Sequence, residues 1–160
     1  MISKSLAILS LFSLSLIAGL SSNSNDDIET ILTTQAQCWN EGDIEGFMET
    51  YWKSEKLTFS GGGKTTRGWQ ATLDQYKKSY PKGGMGALTF DGLEVTMLSD
   101  DDDAALVLGK WHLILPPKDG GDEDVKKDGN FSLVLRKMDG KWKIIHDHSS
   151  TLKPETAPKD

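Results

Sequence analysis

Two of the chain's three histidines lie in the segment KWKIIHDHSS, residues 141–150, where His146 and His148 flank Asp147. Paired imidazoles could ligate a metal ion, and a single imidazole could act as a general base because its pKa lies near neutrality. The same segment could also be no more than the last strand of a core. The choice depends on which face of the strand each side chain occupies.

Side chains alternate between the two faces of a β-strand. One face of this strand is therefore predicted to carry Trp142, Ile144, His146 and His148. The other face is predicted to carry Lys143, Ile145, Asp147 and Ser149. Because the first set is more apolar, we expect it to face the interior, with the two imidazoles about 6 to 7 Å apart along the strand.

A shared metal ion is disfavoured, because a catalytic metal usually has three protein ligands. The third histidine, His112, is predicted two strands away, about 9 to 10 Å across the sheet. The sequence therefore predicts no metal and no cofactor, and His148 becomes the candidate catalytic base. For His146, ligand binding competes with a structural role at the strand end, which is favoured for that residue.

Other candidate ligand-binding residues are aromatic or cationic. Tyr51 and Tyr76 could donate hydroxyl hydrogen bonds, and Trp69 and Trp111 could line a pocket that selects a flat, apolar ligand, with core packing as the alternative. Arg67, in TTRGW, could grip a ligand carboxylate in bidentate fashion, or be a surface charge at a strand end.

The elements that must position these residues fall into two groups. Helical spacing of apolar residues predicts helices from about Asp26 to Trp39, from Ile44 to Trp52 and from Trp69 to Tyr80. A short hairpin lies between the second and third helices, at LTFSGGGKTTRG. Four long antiparallel strands joined by hairpins follow, in the segments 88–97, 104–115, 130–138 and 141–150.

Two strand patterns carry further expectations. The apolar residues occupy even positions before Gly92 and odd positions after it, and such a shift of the alternation predicts a bulge that bends the sheet. The strand AALVLGKWHLIL, residues 104–115, is apolar on both faces, so we expect both faces to be covered. Together the elements predict an α+β fold, in which three N-terminal helices pack on a curved, mostly antiparallel sheet and form a cone with an internal pocket.

The termini, the net charge and the single cysteine indicate where the protein acts and which partners are disfavoured. Residues 1–24, with one lysine followed by an uncharged run rich in leucine, are predicted to be a secretory signal peptide, and residues 152–160 a flexible tail. The net charge of −6 and the scattered basic residues disfavour nucleic acid and anionic membranes as partners. Cys38 has no second cysteine to pair with and is predicted to be a buried hydrophobe.

Several segments in order along the chain resemble one family: CWNEGDIEGFMETYW, LTFSGGGKTTRGWQATLDQYKKSYP, LTFDGLEV, ALVLGKWHL and DGKWKIIHDHSS. They are similar to the nuclear-transport-factor-2-like superfamily, in its SnoaL-like or ketosteroid-isomerase-like branch, and to the association domain of calmodulin-dependent kinase. The resemblance covers about residues 27–150 and places the domain at 25–151. It implies a conical α+β domain, often dimeric through the outer face of its sheet.

Members of that superfamily include isomerases, cyclases, dehydratases and proteins that only bind or assemble, so the fold does not decide the activity. Isomerase chemistry needs a carboxylate base and an oxyanion donor. Asp91 and Asp147 are the only strand aspartates in apolar context, and neither is assigned as that base.

The function expected from these observations is an exported, soluble small-molecule-binding domain that forms a homodimer. Its ligand would be small and apolar or carboxylate-bearing. One alternative is an isomerase or hydrolase with His148 as base and Tyr51 or Tyr76 as hydroxyl donor. Another is a non-catalytic association module that assembles through the convex face of the sheet.

Overall fold

A computed structural model describes residues 23–81, 83–117 and 121–152. The predicted signal peptide and C-terminal tail lie outside the described residues, apart from the ends that join the domain. Asn23 and Ser24 belong to the start of the first helix, where the Asn23 side chain accepts a hydrogen bond from the backbone N–H of Asn25. This N-cap marks the start of the first helix.

Three helices form one layer: α1 (Ser24–Asn40), α2 (Ile44–Glu49) and α3 (Trp69–Ser79). α2 ends before Trp52, where the sequence pattern placed its end. The reason is competition for backbone hydrogen bonds: the Trp52 N–H donates to the Ile144 carbonyl, and the Ile144 N–H donates to the Thr50 carbonyl. The segment that carries Tyr51 is thereby fixed to the last strand.

Six strands form the other layer. They are β1 (Thr58–Gly61), β2 (Lys64–Arg67), β3 (Ala87–Met97), β4 (Ala104–Leu115), β5 (Val125–Met138) and β6 (Lys141–Thr151). Their order across the sheet is β2-β1-β6-β5-β4-β3. The pair β1–β6 is parallel and the other pairs are antiparallel. The predicted α+β fold, with helices on a curved and mostly antiparallel sheet, is confirmed.

Two bulges interrupt the ladder of the sheet. The bulge in β3 lies where the sequence predicted it: the register shifts between Asp91 and Glu94, and Gly92 adopts a positive φ of 58°. The second, in β6, was not predicted: Leu135 pairs with Ile144 and Val134 with His146, so Ile145 is the extra residue. At this point β6 leaves the segment around Tyr51 and begins to pair with β1.

The core lies between the helices and one face of the sheet. β4 illustrates the division, since Val107 and Leu113 are buried on the inner face while Leu108 and Ile114 are each 42% exposed on the outer face. The expectation that both faces of β4 are covered is therefore wrong within a single chain. The helices cover only the inner face.

Among the described residues, no helix combines the length and the apolar character that crossing a membrane requires.

Candidate functional site

A cavity of about 210 Å³ lies between the helices and the inner face of the sheet. Every helix and every strand except β2 contributes to its wall. The cavity therefore depends on the whole tertiary fold rather than on one motif.

Aromatic side chains dominate the wall, with nine among the described residues. The helices and the residues that follow them supply Trp39, Phe47, Tyr51, Tyr76 and Tyr80. The strands supply Phe59, Phe90, Trp111 and Phe131. Many of these rings meet edge to face, as Trp39 and Tyr80 do with centroids 4.8 Å apart. Such mutual packing gives the cavity a wall whose shape is fixed before any ligand enters.

Two glycines on the inner face of the sheet make room for the rings. A Cβ atom at Gly129 would lie 2.5 Å from the Trp111 ring and 1.9 Å from the Ser150 carbonyl oxygen. A Cβ atom at Gly109 would lie 2.5 Å from the Phe131 ring. Because both separations are far below van der Waals contact, Trp111 and Phe131 can occupy their positions only while these residues lack side chains.

One carboxyl group lies in this mostly aromatic wall. Asp147 is only 5% exposed, and two hydroxyl groups hold it in place. The Tyr51 hydroxyl donates to Oδ2 at 2.7 Å, and the Ser149 hydroxyl donates to Oδ1 at 3.0 Å. Beside them, Gln35 Nε2 donates to Thr50 Oγ1 at 2.7 Å, which fixes the residue next to Tyr51.

Burial raises the pKa of Asp147 to about 6, although hydrogen bonds from Tyr51 and Ser149 and the nearby His148 oppose that shift. The carboxyl group is therefore ionised in most molecules at neutral pH and can take up a proton just below it. Burial, reinforced by the Asp147 charge, raises the pKa of both Tyr51 and Tyr76 well above the usual range. Both phenols stay protonated and can donate hydrogen bonds.

The predicted facing of the two histidines is wrong. Trp142 and Ile144 do point inward, but the extra residue Ile145 reverses the parity of everything after it, so that Asp147 rather than His146 or His148 faces the cavity. His146 Nδ1 lies 2.6 Å from Thr58 Oγ1 in a hydrogen bond on the outer face. His148 is exposed and pairs in register with Ser132.

Three of the predicted site residues line the cavity together: Tyr51, Tyr76 and Trp111. Arg67 and Trp69 do not. Arg67 is exposed at the end of β2, and the Trp69 indole N–H donates to the Met48 carbonyl at 2.9 Å.

His112 belongs to a separate ion-pair cluster on the outer face of the sheet. Its Nδ1 lies 2.6 Å from Asp128 Oδ1 and its Nε2 lies 3.0 Å from Asp91 Oδ2. These hydrogen bonds, from Asp128 first and then Asp91, raise the pKa of His112. In residues 23–81, 83–117 and 121–152, no group of three or more His, Cys, Asp or Glu side chains is arranged to hold a metal ion.

Sequence reasoning did not select Asp147 and Ser149, and it left most of the aromatic wall unassigned. The signal that could have found Asp147 was its position as an acid inside an apolar strand. Alternation counted without a bulge placed it on the wrong face. Ile145 carried no warning, since it is β-branched and apolar and fits a regular strand as well as its neighbours do.

Comparison with known proteins agrees with this architecture. The family model for the SnoaL-like domain matches residues 28–154. An NTF-2 like protein of unknown function from Shewanella oneidensis MR-1 is 39% identical, with 79% of this chain and 98% of that chain covered and a TM-score of 0.69. No curated protein matches the chain.

Two more distant structures share the fold. An NTF2-like superfamily protein from Salmonella enterica serovar Typhimurium LT2 is 16% identical, with 86% of this chain and 96% of that chain covered and a TM-score of 0.69. A ketosteroid isomerase-like protein from Erwinia carotovora atroseptica SCRI1043 is 20% identical, with 81% and 96% covered and a TM-score of 0.66. At these identities the likeness concerns the fold alone.

Proposed function

The chain belongs to the SnoaL-like domain family, and on that premise we propose that it binds a small, largely apolar molecule in its aromatic cavity, with the Asp147–Tyr51 pair as the polar anchor. The observation that carries the proposal is the buried carboxyl group of Asp147 in a wall that is mostly aromatic. Burying an ionisable group costs free energy, so a fold that needed only a stable core would be served better by an apolar side chain there.

The composition of the wall favours a flat, largely apolar ligand over a strongly polar one. Nine of the described lining residues are aromatic, and the Tyr51 and Ser149 hydroxyl groups meet at the Asp147 carboxyl group. A ligand pocket of this kind obtains affinity from apolar contact and orientation from a few polar groups. A hollow cone also favours ligand binding over a role confined to assembly.

The setting of this function is also proposed. The N-terminal sequence supports export by a cleaved signal peptide, and the exposed Leu108 and Ile114 support a homodimer formed through the outer face of the sheet. Both features leave the inner cavity free for ligand.

The five tryptophans allow a direct test, because Trp39 and Trp111 line the cavity whereas Trp52, Trp69 and Trp142 do not. The indole N–H resonances can be followed by NMR during titration with a panel of small neutral aromatic and alicyclic compounds. We expect Trp39 and Trp111 to shift while the other three stay in place. Shifts spread over all five, or confined to Trp52, Trp69 and Trp142, would contradict the proposal.

A second function is favoured by the same pair of residues. Asp147 has a pKa of about 6 and lies beside the protonated Tyr51, which is a suitable arrangement for a general base and a hydroxyl donor in proton transfer. In this alternative Asp147 takes the role that the sequence assigned to His148. The test follows the replacement of the α-protons of ketones by deuterium when the protein is added in deuterated water. Asp147→Asn should abolish this exchange, and Asp101→Asn, at an exposed turn, should leave it unchanged.

A further inference from the structure

The charge of the cavity is unbalanced. Of its described lining residues, none is lysine, arginine or histidine, and Asp147 is the sole acid. Around Asp147 the titratable groups are Tyr51, Tyr76 and, on the opposite face of β6, His148. Its register partners on the flanking strands, Phe59 and Leu133, are apolar. A largely ionised carboxylate therefore faces the cavity with hydroxyl groups as its only direct hydrogen-bond donors.

The surrounding rings are suited to a positive charge. The face of an aromatic ring is electronegative and attracts a cation within about 6 Å of its centroid. A molecule inside a cavity of about 210 Å³ with nine rings in its wall lies close to several of them at once. The ring faces and the carboxylate act in the same direction, because both attract positive charge.

An anionic ligand is disfavoured for the same reason. A ligand carboxylate would meet the Asp147 charge in a site of low dielectric constant, where like charges repel strongly. Arg67, the residue that the sequence offered as a partner for such a ligand, is exposed and outside the cavity. The carboxylate-bearing ligand considered at the sequence level has no cationic partner among the described lining residues.

We propose that the ligand is a small organic cation, a protonated amine or a quaternary ammonium compound, whose charge lies against Asp147 within the aromatic wall. This inference rests on the function proposed above and narrows it to one class of ligand. It assigns Asp147 the role of counter-ion and the aromatic residues the role of a cage.

The test compares three soluble probes of similar shape and different charge: choline, its neutral isostere 3,3-dimethylbutan-1-ol, and the anion 3,3-dimethylbutanoate. Binding is followed through the Trp39 and Trp111 indole resonances at pH 7.5. We expect choline to bind at least about ten-fold more tightly than the alcohol, and the anion to bind most weakly.

Two variants separate the cavity charge from the general attraction of a cation to an acidic protein. Asp147→Asn keeps the shape of the side chain and an acceptor for Tyr51, so the alcohol should still bind while the preference for choline falls to within about three-fold. Asp101→Asn, which removes an exposed carboxylate from the turn between β3 and β4, should keep the full preference.

The pH dependence provides an independent check. Protonation of Asp147 removes the counter-ion, so the affinity for choline should fall about five- to ten-fold between pH 7.5 and pH 5, whereas the affinity for the alcohol should stay constant.

Equal affinity for choline and the alcohol, tighter binding of the anion, or failure of choline to shift Trp39 and Trp111 would each overturn the assignment of a cationic ligand. These outcomes remain distinct from failure of the proposed function. Binding of the alcohol, or of another neutral compound, at the same two indoles would still support a ligand-binding cavity.

Discussion

The Tyr51 hydroxyl donates a hydrogen bond to Asp147 Oδ2 at 2.7 Å, across 96 positions of the sequence. Both groups are buried, and Tyr51 is 2% exposed. The bond joins the segment after α2 to the last strand at the polar side of the cavity. Substitution of either partner should therefore change both the pKa at the site and the free energy of unfolding.

Tyr51→Phe tests the contribution of this bond. Loss of the hydroxyl leaves a buried carboxylate with one donor fewer, so we expect the pKa of Asp147 to rise above its present value of about 6. The free energy of unfolding should fall by about 1 to 3 kcal/mol at pH 7.5. Carbon-detected NMR titration of the carboxyl group and urea denaturation measure the two effects. Tyr80→Phe, on the same wall, is the control and should leave the Asp147 pKa unchanged.

The pH dependence of stability should carry the signature of a buried acid. The pKa of Asp147 is raised from 3.8 to about 6, so the folded state binds its proton more tightly than the unfolded state does. The contribution of Asp147 protonation to the free energy of unfolding is fully present below pH 3.8 and is lost as the pH rises through about 6. Above that pH the contribution no longer changes. The loss is about 3 kcal/mol.

Asp147→Asn isolates this term from the rest of the protein. The stability of the variant relative to the native chain should increase by about 2 kcal/mol between pH 4 and pH 6.5, and then level off. Urea denaturation at several pH values measures the difference. If the difference in unfolding free energy between the variant and the native chain did not change across that interval, the pKa of Asp147 would not be raised by burial.

His148 provides a test of the strand parity. Because His148 is exposed on the outer face of β6, His148→Ala should leave affinity for cavity ligands within about two-fold of the native value. Ser149→Ala, one residue further along, removes a donor to Asp147 and should raise the pKa of that carboxyl group. If His148→Ala abolished binding and Ser149→Ala had no effect, the assignment of the inner face of β6 would be wrong.

The outer face of the sheet provides a test of assembly. Leu108 is 42% exposed in the middle of β4, where a dimer through this face would cover it. We expect the native chain to be a dimer by light scattering and Leu108→Glu to be a monomer, since the charge would be desolvated in the interface. Leu98→Glu, at the end of the β3–β4 hairpin where exposure is 54%, is the matched control and should remain dimeric. A native chain that is monomeric at high concentration would contradict the proposed homodimer.

Local patterns determined most of the elements. The 3.6-residue period marked all three helices, and β4 was predicted with both ends correct, because its apolar run lies between turn-forming segments. The bulge in β3 could also be foreseen, since Gly92 broke the apolar parity and glycine accepts the positive φ that the bulge requires. β5 begins at Val125, earlier than expected, because β4 continues to pair with its polar first residues.

The site was decided by the tertiary structure. Tyr51, Tyr76 and Trp111 could be selected from the sequence because their residue types alone, large rings with or without a hydroxyl group, make them candidates for the wall of a pocket. The acid that completes the site could not be oriented, because the bulge at Ile145 arises from contacts that are distant in sequence: β6 pairs first with the segment around Tyr51 and then with β1. One extra residue in a strand reverses every side chain beyond it, so these contacts turned Asp147 toward the cavity and His146 and His148 away from it.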